Sequence, residues 1–307
     1  MKRPRAAPFD GAEQRLAASY RRALTQSLVA RLPGHERPRT LPDRGLPAEP
    51  VRIDPRKLEA FQRGIGAPIR NALPSSYLHT LAFPQAMALM ARPDFPLPTV
   101  GMVHIGTVAE QWDGVQASDE LAVESCAENL SVRRTGTQVD VQSTLTRRGS
   151  TVWAGTSTYL APGVFLASPP EPEQQRPGQR WEAPLPTARW HLDRGVGRRY
   201  ARVSGDWNPI HLGRLPAKLL GIKGPIAHGM YLAGRMLGHV GDPPAGPLRW
   251  GISFHTPVRL PATLEITVRP ISPYAVGTAT TALGWEVQGW TAGSSRPHFS
   301  GWIDGEP

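Results

Sequence analysis

The chain has 307 residues, 40% of them hydrophobic, and a formal charge of +10. That is enough for two modest domains or one large two-part domain with a buried core; the 33 prolines and 31 glycines mark turns and short strands, with no collagen-like period. A single cysteine, Cys126, excludes an intramolecular disulfide and a thiolate metal cluster and fits a reducing cytoplasm.

The charge is uneven. Residues 1–45 hold ten Lys/Arg against four Asp/Glu, more than half of the net excess. No RNP-like, zinc-finger or helix-turn-helix signature lies beside them, so no nucleic-acid partner is expected. Residues 1–48 read as a solvated basic extension, dispensable for chemistry. Within it, "RLAASYRRALTQSLVARL" is interrupted by arginines too often for a signal-peptide core. Its Arg/Ser/Ala content resembles a transit peptide, but Asp10 and Glu13 are against type. No apolar run approaches the ~18 residues of a spanning helix, so no membrane span is expected and the location reads as cytoplasmic.

From residue 49 one order of elements recurs. Residues 49–163 contain an apolar helical stretch, "FPQAMALMARPDFPLP", with Pro84 suited to its first turn. A proline loop, the strand "VGMVHIGTVAEQW" and a meander with breaks at "RRTGT" and "RRGS" follow. Residues 164–187 are Pro-rich and read as a linker. Residues 188–307 repeat the order: the apolar helix "HGMYLAGRMLGHV", a proline loop, the strand "WGISFHTPVRLPA" and a second meander. His104 and His255 fall at similar places in the two repeats, which argues for structural roles. The fold class is α+β, with each antiparallel sheet curled around an apolar helix.

The chemistry is concentrated in "YARVSGDWNPIH", residues 200–211. Pro209 fixes its own φ and disfavours helix at Asn208, so "GDWNPIH" is a turn or extended overhang. Across it Asp206 and His211 can converge as acid and base around a water, with Asn208 fixing the water or the carboxylate. Seventeen residues on stands His228, in the "PIAHGM" that leads into the second apolar helix. If Gly229 opens that helix, its N–H is an unpaired donor at a positive dipole end, suited to an oxyanion.

"YARVSGDWNPIH" followed by "AKLLGIKGPIAHGM" resembles the signature of the MaoC-like dehydratases, the R-specific (type 2) enoyl-CoA hydratases. The resemblance implies a double hot-dog fold, two antiparallel sheets each wrapped around a central helix. It implies Asp206 and His211 as catalytic dyad, Asn208 as support for the site water and Gly229 as oxyanion donor. The match is close over 200–230 and looser to about 303; Ala262-Thr263 stand where the family usually has Gly-Asp. The first repeat lacks the signature, which resembles members whose N-terminal repeat is degenerate and shelters the acyl tail.

The expected reaction is reversible hydration of trans-2-enoyl thioesters to (3R)-3-hydroxyacyl thioesters, in fatty-acid or polyhydroxyalkanoate-type metabolism. The partner is acyl-CoA or acyl carrier protein, with no cofactor and no metal. Ser204, Tyr200 and His228 are candidate substrate contacts, and Arg198 and Arg199 candidate phosphate contacts. The alternatives are a hot-dog acyl thioesterase, distinguished by release of free thiol, and a non-catalytic acyl-binding subunit, distinguished by binding without turnover. The assembly is expected as a monomeric double hot-dog or a homodimer.

Overall fold

Backbone amides at an open sheet edge need partners, and the strands of this chain meet that need by pairing as one sheet. A computed structural model describes residues 11–29, 37–170, 181–214, 223–241, 247–271 and 283–305. The first half contributes β1 (Leu46–Val51), β2 (Val103–Gln111), β3 (Leu121–Arg133), β4 (Gly136–Arg147) and β5 (Ser150–Pro162). The second contributes β6 (Ala188–Leu192), β7 (Leu248–Phe254), β8 (Ala262–Ile271), β9 (Leu283–Trp290) and β10 (Phe299–Gly305). Among the described residues their order is β1-β3-β4-β5-β2-β7-β10-β9-β8-β6. Read inward from either end the order is the same, so the duplicated meander is real. The two expected sheets are joined through β2 and β7, which pair antiparallel with Gly106 opposite Ser253. Alternation is clear in β4, where Val139, Val141 and Leu145 face inward and Gln138, Asp140 and Gln142 do not.

Two apolar helices pack on this sheet, α3 (Ser75–Met90) and α5 (Gly229–Val240). The second matches expectation. The first begins eight residues before Phe83, so Pro84 lies in its interior instead of its first turn. Proline there costs ~3 kcal/mol. Burial of Tyr77, Leu78, Met87, Leu89 and Met90 outweighs it, because a large buried aliphatic or aromatic side chain contributes about 1.5–3 kcal/mol. One core spans both halves: Leu78, Leu145 and Trp153 of the first join Leu237, Trp250 and Phe299 of the second. Its hinge is Ser75, whose Oγ accepts from Trp153 Nε1 at 3.0 Å and from Trp250 Nε1 at 2.9 Å.

Two shorter helices, α2 (Pro55–Ile65) and α4 (Val196–Ser204), pack against each other. Upstream of them the expected solvated arm is corrected. Residues 11–29 form α1 (Gly11–Val29), which packs on α3 and buries Leu16, Ser19 and Ala23. The reason is amphipathic spacing: Leu16, Ser19, Tyr20 and Ala23 share one face, while Arg15, Arg21 and Arg22 stay exposed. Residues 1–10 lie outside the described residues, as does the linker over 171–180. The boundary drawn at residue 48 cuts β1. The last part of the expected linker packs on the second half: Trp181 Nε1 bonds Gln288 Oε1 at 3.3 Å and Thr187 N–H bonds Ile266 O at 2.7 Å.

Candidate active site

Both halves and α1 line a cavity of about 2040 Å3, and the segment after α4 enters it. Helix α4 stops at Gly205, whose φ of 76° is the left-handed cap that glycine adopts without strain. Each following polar side chain then caps its own backbone. Ser204 Oγ donates to Tyr200 O at 2.9 Å and accepts from Asp206 N–H at 3.2 Å. Asp206 Oδ1 accepts from Asn208 N–H at 3.1 Å, and Asn208 Oδ1 from Ile210 N–H at 3.3 Å, opening the 3-10 turn Pro209–His211. The overhang is thus a relay of side-chain caps.

A second segment, ending at the start of α5, lies against the first through Ile226 N–H and Ile210 O at 3.1 Å. His211 Nδ1 is 2.9 Å from Ile226 O. A carbonyl only accepts, so Nδ1 carries the proton and a neutral His211 presents a bare Nε2. His228 Nε2 is 3.0 Å from Asp206 O by the same logic, which leaves its buried Nδ1 without a partner among the described residues. The two imidazoles stack with centroids 3.6 Å apart. Donor atoms of Asp206, His211 and His228 lie within 4.8 Å of one another, a set of the type that can ligate a divalent ion.

Burial pushes both rings below the ordinary histidine value, His228 to about 3 with His211 adding to the effect, so both are neutral near pH 7. Burial alone would raise the Asp206 carboxyl, but His228, His211, the Tyr20 hydroxyl and Asn208 N–H together hold it below its usual value. The site therefore presents a carboxylate beside a neutral imidazole. Gly229 is the first residue of α5, where an N–H has no intrahelical acceptor. A Cβ on Gly229 would come 2.6 Å from Phe254 Cζ, so packing against Phe254 favours glycine here.

Over 283 residues the chain is 30% identical to 3-hydroxyacyl-thioester dehydratase X of Mycobacterium tuberculosis, covering 92% of this chain and 96% of that one. The profile of the family described as "MaoC like domain" matches residues 174–272. The chain belongs to the MaoC-like dehydratase family. The crystal structure of HtdX from Mycobacterium tuberculosis superposes with a TM-score of 0.70 at 30% identity, covering 84% of this chain and 98% of that one. A second Mycobacterium tuberculosis protein, described as having a double hotdog fold, superposes at 0.53 with 14% identity over 85% of this chain and 96% of that one. The fold is a double hot-dog.

Of the residues expected in this MaoC-like site, Asp206, His211, Asn208, Gly229, Ser204, Tyr200 and His228 all line the cavity. Ser204 Oγ and the Asn208 side-chain carbonyl each serve a backbone cap of the turn. Tyr200 OH is buried with no hydrogen-bond partner among the described residues, and its ring lies 5.0 Å from that of His228. Arg198 and Arg199 are corrected as phosphate contacts. Arg199 is paired with Asp193 and Arg198 reaches Leu212 O at 3.4 Å, and neither lines the cavity. Arg52, Lys57 and Arg202 line it instead.

Sequence reasoning missed two features of this site. Tyr20 of α1 donates its hydroxyl to Asp206 Oδ1 at 2.8 Å. A buried polar chain in the first half brings His79 and His104 to the cavity: His79 Nε2–Ser157 Oγ at 3.0 Å, Ser157–Thr107 at 3.3 Å and Thr107–His104 Nε2 at 2.8 Å. Burial lowers His79 to about 3 and His104 to about 4. His104 stands near the start of β2, whereas His255 follows the end of β7 and bonds Ser300 Oγ at 2.8 Å, so their places are not equivalent. No helix among the described residues is long and apolar enough to cross a membrane.

Proposed function

We propose that this chain adds water reversibly across the C2–C3 double bond of a trans-2-enoyl thioester, giving the (3R)-3-hydroxyacyl thioester. The observation that supports it is the convergence of a carboxylate, a bare imidazole nitrogen and a helix-start N–H on one cavity. Asp206 and His211 hold the water. As its oxygen bonds C3, one water proton passes to the dyad, and electron density moves from the double bond toward the thioester oxygen. Gly229 N–H stabilises that enolate-like oxygen. The dyad then returns one proton to C2, so the sum is one water added and the enzyme is restored; dehydration is the exact reverse.

Water and the dyad supply every atom, so the reaction needs no cofactor. We place catalysis in the unit 188–307 and read 49–163 as its degenerate partner, whose apolar Phe83, Met87 and Met90 line the cavity for an acyl tail. Arg52, Lys57 and Arg202 suit the phosphates of CoA or of carrier-bound phosphopantetheine. Because one chain closes both halves around one core, a monomer suffices for a complete site, and its surroundings are cytoplasmic. The test is an enoyl-CoA panel from short to long, followed by loss of enoyl absorbance with chiral analysis of the product. Free thiol release without loss of the double bond in the acyl product would refute the hydratase reading.

A further inference from the structure

The carboxylate of Asp206 has two oxygens, and they are not equivalent. Oδ1 accepts from Asn208 N–H at 3.1 Å and from Tyr20 OH at 2.8 Å, whereas Oδ2 faces His228 Nε2 at 3.8 Å. Tyr20 is 186 residues away in sequence and reaches Asp206 only because α1 docks across the two halves. The docking is specific. Leu16 covers the turn so closely that a Cβ on Gly205 would come 2.6 Å from Leu16 Cδ2. At the other end Gln26 Nε2 donates to Ala91 O at 2.9 Å, and Arg15 meets Glu49 at 3.6 Å.

We infer that Tyr20 is a positioning residue for Asp206 and that α1 is a built part of the active site. The inference rests on the hydratase reading. With Oδ1 occupied by two donors, Oδ2 is the oxygen left to exchange a proton with the site water. The phenol cannot act as an acid or base itself, since burial and the adjacent Asp206 raise its pKa far above the ordinary tyrosine value. It fixes the carboxylate and favours its charged form, as charge-assisted hydrogen bonds do. A phenylalanine would fill the same space, so the hydroxyl is the part that bears on chemistry.

The experiment compares Tyr20→Phe with the full chain in two readouts. In steady-state hydration of a trans-2-enoyl-CoA, kcat is expected to fall roughly tenfold, the scale of a hydrogen bond to a charged group, with KM little changed. The acidic limb of kcat/KM moves to higher pH. Independently of turnover, the Asp206 13Cγ resonance is expected to titrate at higher pH in Tyr20→Phe. The other groups facing Asp206 stay in place: His211 and His228 beside it, Tyr200 of α4, Tyr159 of β5, His79 of α3 and His104 of β2. Leu16→Ala, which loosens α1 without touching the hydroxyl, is expected to move the titration the same way. If neither variant moves it, Tyr20 is only packing and the inference is overturned. If instead the parent chain hydrates no enoyl thioester, the functional reading fails, and the titration still decides the role of Tyr20.

Discussion

His211 and His228 stack face to face, centroids 3.6 Å apart and planes 25° from parallel, each anchored through one ring nitrogen to a backbone carbonyl. The stack holds while the rings are neutral; a proton on either brings positive charge into a buried site. An unfolded histidine titrates near 6.5. Folded values are depressed by burial, to about 3 for His228 and His79 and about 4 for His104. Between these limits the unfolded chain binds protons that the folded chain refuses. Stability from these rings is therefore complete above about pH 6.5 and lost as pH falls toward the folded values. Urea melts from pH 7 to pH 4 should lose up to about 1.4 kcal/mol per pH unit for each such ring. His228→Gln should flatten the slope, and a level profile in the parent chain would mean the rings titrate freely.

The dyad variants separate chemistry from folding. Asp206→Asn retains an Oδ1 able to accept from Asn208 N–H and Tyr20 OH, so the turn survives while the basic carboxylate is lost. His211→Gln keeps a donor near Ile226 O, whereas His211→Ala leaves a void beneath His228. Asp206→Asn and His211→Gln should each lower kcat by roughly 10²–10⁴-fold with melting temperature nearly unchanged. His211→Ala should lose stability as well. The double variant Asp206→Asn/His211→Gln should fall far short of the multiplied losses, because residues serving one proton transfer are not additive. Normal turnover by Asp206→Asn with only a lower melting temperature would make the motif structural.

The site was legible where a local rule fixes it. Pro209 disfavours helix at Asn208, so Asp206, Asn208 and His211 share one turn within one short window of sequence. The apolar run after "PIAHGM" likewise marks the helix that Gly229 opens. What lay outside that window was set by tertiary packing. Tyr20 sits in a segment whose charge masks an apolar stripe, and only docking on α3 shows that the stripe includes a hydroxyl aimed at Asp206. Pro84 misled because burial of α3 outweighs a rule that holds for exposed helices. Arg198 and Arg199 are adjacent to the motif in sequence but not at the cavity, since α4 turns Tyr200 and Ser204 inward.

Neither half should fold alone. The core runs unbroken from Leu78 and Trp153 to Trp250 and Phe299, and β7 without β2 is an open edge. Residues 185–307 would also leave Trp250 Nε1 without Ser75 Oγ, an unpaired buried donor costing about 1–3 kcal/mol. Expressed separately, this half should be insoluble or self-associate through β7 and its apolar face. Size-exclusion chromatography with light scattering reads the result; a soluble, fully active monomer would show that the halves are independent domains.

Gly229 and Phe254 offer a way to separate packing from oxyanion donation. A methyl on Gly229 would overlap the Phe254 ring, with contacts of 2.6 Å to Cζ and 2.7 Å to Cε2, well inside any ordinary approach. Gly229→Ala should therefore lower both melting temperature and kcat, since the ring or the helix start must shift and the N–H shifts with it. Losing one such donor costs about 10²–10³-fold. Phe254→Leu removes the ring atoms that the methyl meets, so Gly229→Ala/Phe254→Leu should recover melting temperature relative to Gly229→Ala. Alanine keeps its N–H, so kcat should return with it, to within roughly tenfold of Phe254→Leu alone. Gly229→Val, with two more carbons directed at the cavity, should not be rescued by Phe254→Leu. If stability returns in the alanine pair but kcat stays depressed by 10²-fold or more, glycine at this position serves bare access of the thioester to the backbone, and relieving Phe254 has no bearing on the reaction.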